Sequence, residues 1–306
     1  MSKKHMSTAQ RQEARAGLLF ASPFIIGVIV FAAFPFLMSL YYSFTNYNMK
    51  TAPKFLGLTN YQILFTSDSL FLPTLYNTLV HVVISVPLYL VFSMMLALLL
   101  NSRVWGINLF RTIYYLPNVV SMIAMSLLWL WMFQPSFGLI NQLLSPLYHL
   151  LGAEPIGWLT DPAVSKISIA LMGLWTCGGN MVIYLAALQD IPQDLHEAAE
   201  IDGAGPVKRF FSITLPLMTP SIFYNLIMAI ISGFQVFMQA MIMTDGGPAN
   251  STYYYAYYLY EKAFKDSQMG MACAMAWVLL LITLVVTLVV FATSKKWVFY
   301  MSGDNT

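Results

Sequence analysis

The chain has 306 residues, 58% of them hydrophobic and 9% charged, whereas soluble domains run at roughly 45–50% apolar and about 25% charged. Its 15 Lys plus Arg stand against 13 Asp plus Glu, so it lacks the basic stripe that nucleic acid needs, and a soluble globular fold does not fit either. The two cysteines, Cys177 and Cys273, lie inside apolar runs, which suits packed small hydrophobes rather than a disulfide framework or a thiolate metal site.

Six uncharged stretches, 16–49, 69–102, 112–153, 167–189, 210–244 and 267–294, are each long enough for the roughly 20 residues that span a bilayer. The expected fold is all-α: a polytopic membrane protein with six transmembrane helices. A basic segment, residues 1–17, precedes the first span. Its apolar run is too long for a signal-peptide core and no small-x-small site follows, so it is expected to remain as a span. The segment 43–73 is aromatic and polar, with Pro53 and Gly57. No Asp, Glu, Lys or Arg lies in the expected spans; His81, in the second, is the candidate to titrate there, and a histidine hydrogen-bonded between helices is the ordinary alternative to a transport role.

The third stretch is interrupted by Gln134, Pro135, Ser136 and Gly138, and its remainder, Leu139 to Leu151, reads as a helix lying along the interface. The fourth span carries Trp175, Thr176 and Asn180 around Gly178-Gly179, where the helix is expected to loosen.

The connection 190–216 carries 27 residues, more than a link between two spans needs. Asp190 before a proline-started turn, early acidic residues and good helix formers predict a short helix. Gly203 then stands where a left-handed residue stops it, and Gly205-Pro206 starts a second short helix carrying Lys208 and Arg209. Leu195, Ala198, Ala199 and Asp202 share a narrow face that permits close approach, with Glu197 beside it.

In the fifth span Gln235 and Gln239 are four apart and are expected to share a helix face, with Phe234 and Met238 adjacent. Thr244-Asp245-Gly246-Gly247-Pro248 reverses the chain. Six tyrosines follow between Tyr253 and Tyr260, read as an interfacial belt or as a docking surface for an external partner. After the sixth span comes a tail, 294–306. Assigning basic residues to loops with the N-terminus inside puts ten on the inner side (Lys3, Lys4, Arg11, Arg15, Arg103, Arg111, Lys208, Arg209, Lys295, Lys296) and five outside (Lys50, Lys54, Lys166, Lys262, Lys265). Both termini are therefore expected in the cytoplasm.

The pattern Glu197-Ala198-Ala199, three residues, Gly203, nine residues, Ile213, one residue, Leu215-Pro216 resembles the loop signature of ABC importer permeases, the inner-membrane components of binding-protein-dependent uptake systems. Its flanks resemble the carbohydrate branch: Leu188-Gln189-Asp190-Ile191-Pro192 and Ile201-Asp202-Gly203-Ala204-Gly205. Phe55-Leu56-Gly57-Leu58-Thr59-Asn60-Tyr61, Tyr115-Leu116-Pro117, Gly138-Leu139-Ile140-Asn141 and Thr244-Asp245-Gly246-Gly247-Pro248 extend the likeness over nearly the whole chain, which is most similar to the first permease of maltose-type and glycerol-phosphate-type systems.

The resemblance implies a type I importer permease in a bacterial inner membrane, with a single transmembrane domain over 18–293. Its expected partners are a second permease, two ATPase subunits, an extracytoplasmic solute-binding protein and membrane lipid. It implies that Glu197, Ala198, Ala199, Gly203, Ile213, Leu215 and Pro216 couple to the ATPase. The chain has no Gly-x4-Gly-Lys-Ser/Thr loop, so it is expected to be no enzyme, to hold no cofactor or metal, and to leave ATP and Mg to the ATPase. Trp175, Thr176, Asn180, Phe234, Gln235 and Gln239 lie on the spans flanking the signature, where the family's sugar site is expected; amides donate and accept, and aromatic faces cover the C–H side of a sugar. Each has a plain alternative as glue between helices. A stand-alone secondary transporter or channel for a small neutral solute is the competing reading, and buried ionisable residues or internal repeats would distinguish it.

Overall fold

A computed structural model describes residues 8–102 and 106–299. Lys3, Lys4 and Arg103 of the charge asymmetry lie outside the described residues, as do residues 1–7 and 300–306 of the two terminal segments. Among the described residues the regular secondary structure is helical, apart from one isolated antiparallel bridge between Thr45 and Phe55. Four helices among the described residues are long and apolar enough to cross a membrane: α1 (Gln12–Ser43), α3 (Phe71–Leu100), α10 (Pro206–Phe234) and α13 (Met269–Ser294). Two bent pairs make six crossings if each pair is one span: α4 (Ile107–Val119) with α5 (Met122–Met132), bent by 102°, and α7 (Ser165–Leu174) with α8 (Gly178–Gln189), bent by 50°. The remaining helices are short: α2 (Thr59–Thr66), α6 (Leu139–Leu151), α9 (Gln193–Ile201), α11 (Met238–Met243) and α12 (Tyr255–Tyr260).

The contacts divide the chain into two compact units, 1–67 with 262–277, and 68–261 with 278–306. In the first, α1 carries no charged residue after Arg15 and exposes Phe20 and Phe31, the pattern of a lipid-facing or partner-facing span. The loop after it is tied by Asn60, whose Nδ2 donates to the carbonyls of Ser43 and Thr45, both at 2.8 Å. Gly270 opens α13 against Thr45; a Cβ there would lie 2.1 Å from the Thr45 carbonyl oxygen.

The second unit is built around α3. The Asp68 carboxylate accepts the N–H groups of Leu70 and Phe71 at 2.9 and 3.1 Å, supplying acceptors where a helix start leaves donors unpaired. At the other end Arg111 donates to the Leu100 carbonyl at 3.1 Å, the matching arrangement for the negative end of the dipole. Thus Arg111, expected from the sequence as a basic residue marking one side, also caps a span. Between those ends the polar side chains close on the helix itself, Thr74 on Leu70, Thr78 on Thr74 and Ser93 on Tyr89, which removes their cost in an apolar medium. One face of α3 packs Leu96, Ala97 and Leu100 against Met181, Tyr184, Leu185 and Leu188 of α8 and Met218 of α10. Higher up, Val82 and Val86 meet Ile230 and Phe234, backed by Leu279, Ile282 and Val286 of α13.

The interface helix has the expected bounds, Leu139–Leu151, and ends in left-handed Gly152 (φ 60). Its apolar side is open, with Leu143, Leu150 and Leu151 all exposed. Asn141 does not face outward with the other polar residues. It is buried and accepts hydrogen bonds from Tyr148 at 2.9 Å and Trp158 at 2.8 Å while donating to the Pro135 and Ile156 carbonyls. Both cysteines are free and buried, as expected.

The tyrosines do not form an interfacial belt: Tyr254, Tyr255 and Tyr257 have no exposed surface and Tyr258 only 4%. Polar partners inside the protein explain the burial. Tyr257 donates to Asp245, Tyr253 to Glu261 and Tyr258 to Asp68, the last at 2.6 Å. Burial, and secondly the Asp245 carboxylate, push the Tyr257 phenol well above its ordinary range, so it remains a donor at any physiological pH. Asn77 of α3 fastens the same segment, its Nδ2 donating to the carbonyls of Asn250 at 2.7 Å and Tyr253 at 3.2 Å. Asn77→Leu removes both bonds and leaves two carbonyls without their donor, at a cost of about 2 kcal/mol. The expected result is a lower melting midpoint in detergent with earlier proteolysis inside 244–261, and a wild-type melting curve would refute the anchor.

Candidate functional site

A cavity of about 590 Å³ lies in the second unit, walled by α3, the break between α7 and α8, the end of α10 and the segment 235–239. Three local features of the sequence shape it. The first is the break at Trp175–Cys177, which falls immediately before Gly178-Gly179, where loosening was expected. Gly178 is needed there for closeness rather than flexibility: a Cβ would come 2.4 Å from the Tyr114 carbonyl oxygen and 2.8 Å from Tyr115 Cα. The second is the end of α10 at Phe234, after Gly233, which brings the backbone close to Val82. The third is Tyr89, which donates from α3 to the Thr176 carbonyl at 3.0 Å and so partners an acceptor freed by the break.

Thr176, Asn180, Gln235 and Gln239 all line this cavity, together with Phe237 and Met238. The helical reasoning for the glutamines does not hold. Gln235 has left the helix (φ −98, ψ 10) and Gln239 belongs to α11, so a turn rather than one helix face presents both. Low helix propensity at Gly233 accounts for the interruption. Trp175 and Phe234 are placed elsewhere. Trp175 is 40% exposed, edge-on to Trp129 at 5.6 Å, and Phe234 is sealed in the core beside Val82, Val86 and Ile230. Residues that sequence reasoning did not assign to this place are Ser85, Tyr89 and Ser232. The spacing of Ser85 and Tyr89, four and eight residues after His81, was the available signal. The lining contains no Asp, Glu, Lys or Arg among the described residues, and no His/Cys/Asp/Glu cluster able to hold a metal occurs among them. Such a cavity can hold an uncharged molecule by hydroxyl and amide hydrogen bonds and by apolar contact.

The 190–216 loop is the second region. Helix α9 ends in a Schellman motif: the Ala204 N–H donates to the Ala199 carbonyl at 2.8 Å, the Gly203 N–H to that of Glu200 at 3.0 Å, and Gly203 is left-handed at φ 78. Arg209 pairs with Glu200 at 2.7 Å across the turn. The second short helix is not a separate element. It starts at Pro206 after Gly205, as expected, but continues through a wide π-turn, Phe210–Thr214, into the long span. Pro216 lacks the N–H that the Ser212 carbonyl would take, and the wide turn absorbs that mismatch. Glu197 and Ala198 are exposed and Ala199 half-buried, while Ile213, Leu215 and Pro216 are half-buried at the start of the span. Ile201, Val207 and Phe211 are 87%, 71% and 61% exposed, an apolar surface too prominent for a mere link.

Residues 71–297 match the family model of the "Binding-protein-dependent transport system inner membrane component". The chain is 41% identical over 302 residues to the Bacillus subtilis (strain 168) protein named "Probable ABC transporter permease protein YesP", covering 98% of this chain and 96% of that one. It is 37% identical over 287 residues to the "Lactose transport system permease protein LacF" of Rhizobium radiobacter, covering 92% and 94%. Among solved structures it matches a chain of a bacterial ABC transporter involved in the import of the acidic polysaccharide alginate, with TM-score 0.79 and 23% identity over 95% of this chain and 99% of that one. At that identity the likeness concerns the fold.

Proposed function

Since the chain belongs to the family of binding-protein-dependent transport system inner membrane components, we propose that it forms half of the translocation path of an ATP-driven importer whose cargo is a neutral sugar. It is a multi-pass permease component. The observation that carries the cargo class is the cavity wall: Thr176, Asn180, Gln235 and Gln239 offer neutral donors and acceptors around about 590 Å³, with no ionised side chain. A carbohydrate presents hydroxyls to such amides and C–H faces to rings like Phe237. Lactose transport by a relative 37% identical to this chain supports the same class.

In this reading the partners are a second permease, two ATPase subunits that use ATP and Mg, and a solute-binding protein outside a bacterial inner membrane. Both termini lie inside, following the excess of basic residues. The alginate importer that shares the fold was crystallised with a pentasaccharide-bound periplasmic protein, which supports the last partner. The 190–216 loop is the coupling element: an exposed apolar patch around Ile201, Val207 and Phe211 with Glu197 at its edge offers an ATPase cleft both contact area and a charge.

The first test is to tag the chain at its C-terminus, extract it gently and identify what copurifies in stoichiometric amount. An ATPase and a second permease are expected; the chain alone, transporting without ATP, would establish the secondary transporter instead. A second test concerns Gly203. A Cβ there meets no atom within 4 Å, so alanine leaves packing intact and strains only the backbone, by about 1–2 kcal/mol. Gly203→Ala is expected to insert and assemble normally but to hydrolyse more ATP per sugar imported, whereas Glu197→Ala weakens ATPase retention without altering the helix. Wild-type coupling in a fully assembled Gly203→Ala transporter would remove the hinge from the mechanism.

A further inference from the structure

The cavity has a third polar wall, on α3. His81, Ser85 and Tyr89 recur every four residues and all line it, so they form a ladder on one helix face with steps of about 6 Å. His81 stands at one end of this ladder and is only 6% exposed. Its Nδ1 shares a hydrogen bond at 3.4 Å with the hydroxyl of Tyr254, and the two rings lie 5.0 Å apart. Nε2 has no partner among the described residues, yet it is not among the side-chain atoms sealed without one. The residue itself lines the cavity. Whichever tautomer forms, the Tyr254 hydroxyl occupies one nitrogen and leaves the other to act as a donor or an acceptor. Tyr254 is itself immobilised, with no exposed surface and packed against Ile169, Val236 and Tyr257.

The geometry points to His81 as a cargo-contacting residue that hydrogen-bonds a hydroxyl of an uncharged polyhydroxylated ligand through Nε2, with Tyr254 as its positioning residue. His81 makes one protein hydrogen bond, to Tyr254, and lines the same cavity as Ser85 and Gln239, so its second ring nitrogen is left to a ligand held there. The assignment rests on the importer reading above and specifies which face of the cavity selects the cargo.

The test uses the complete transporter with its binding protein in ATP-loaded proteoliposomes. Radiolabelled lactose, maltose and arabinose oligosaccharides are the probes, and the one that wild type takes up fastest is carried forward. His81→Leu is expected to lower uptake at least 10-fold while ATP hydrolysis stimulated by the loaded binding protein stays within twofold of wild type. His81→Gln, which retains a donor and an acceptor, is expected to restore at least a third of the rate. Tyr254→Phe, which keeps the ring, should lower uptake about 3-fold and have no further effect in the His81→Leu background. Unchanged uptake by assembled His81→Leu overturns the inference, and so does a parallel loss of uptake and ATP hydrolysis that His81→Gln does not repair. Wild-type vesicles that accumulate none of the probes in an ATP-dependent way overturn the importer reading beneath it.

Discussion

Alanine at position 178 is expected to leave little assembled protein in the membrane. The added methyl would lie 2.4 Å from the Tyr114 carbonyl oxygen and 2.8 Å from the Tyr115 Cα, and both are backbone atoms. No side chain can swing aside, so α4 or the start of α8 must shift as a whole. Overpacking of this kind costs about 1–3 kcal/mol where the surroundings yield and more where they do not, and membrane helices rely on small residues at their closest approaches. Its neighbour provides the control. A Cβ at Gly179 meets the Asn118 side chain at 3.0 Å, and a side chain can turn away. Gly178→Ala should therefore reduce the yield of monodisperse extracted protein several-fold and lower its melting midpoint, with Gly179→Ala much milder. Equal behaviour of the two variants would mean that α4 does not pack tightly on α8 at this point.

Replacing Gln235 and Gln239 together by alanine is expected to slow sugar uptake about 30-fold without disturbing assembly. Both side chains line the cavity, Gln235 exposed and Gln239 half-buried, so their loss removes cargo contacts and disturbs little packing. Two neutral hydrogen bonds at about 1 kcal/mol each, if made more strongly while the cargo moves than while it waits, correspond to that factor. The measurement is ATP-driven uptake beside ATP hydrolysis stimulated by the loaded binding protein. An unchanged rate for the sugar would take both amides off the path. A double variant that fails to copurify with its partners would show them to be interhelical glue instead.

These two expectations differ in how far the sequence could lead to them. Neutral amides are conspicuous in an apolar span and single out the glutamines, although one shared helix face for them fails at the interruption after Phe234. The Gly178-Gly179 pair reads as a place of loosening, whereas Gly178 serves close contact with the backbone of Tyr114 and Tyr115, far away in the chain. The tyrosine segment shows the same limit. Its composition matches the residues that gather at membrane interfaces, and long-range bonds that Asn77 of α3 donates and Thr78 of α3 accepts reveal that it is folded into the protein.

What the sequence determined by itself is whatever acts over a few neighbouring residues or over composition. Uncharged runs set the helices that cross. The Leu139–Leu151 helix follows from the breakers before it, and the left-handed stop at Gly203 from the need to close a helix end. The tertiary structure alone decided which polar groups face one another across the cavity. Thr176, Gln235 and His81 come together only because helices break at particular points and glycines let backbones touch. Trp175 and Phe234, adjacent in sequence to cavity residues, are turned away by the same breaks. Facing is a property of how helices are rotated and bent against their neighbours, and that rotation is set by long-range packing, which no local pattern encodes.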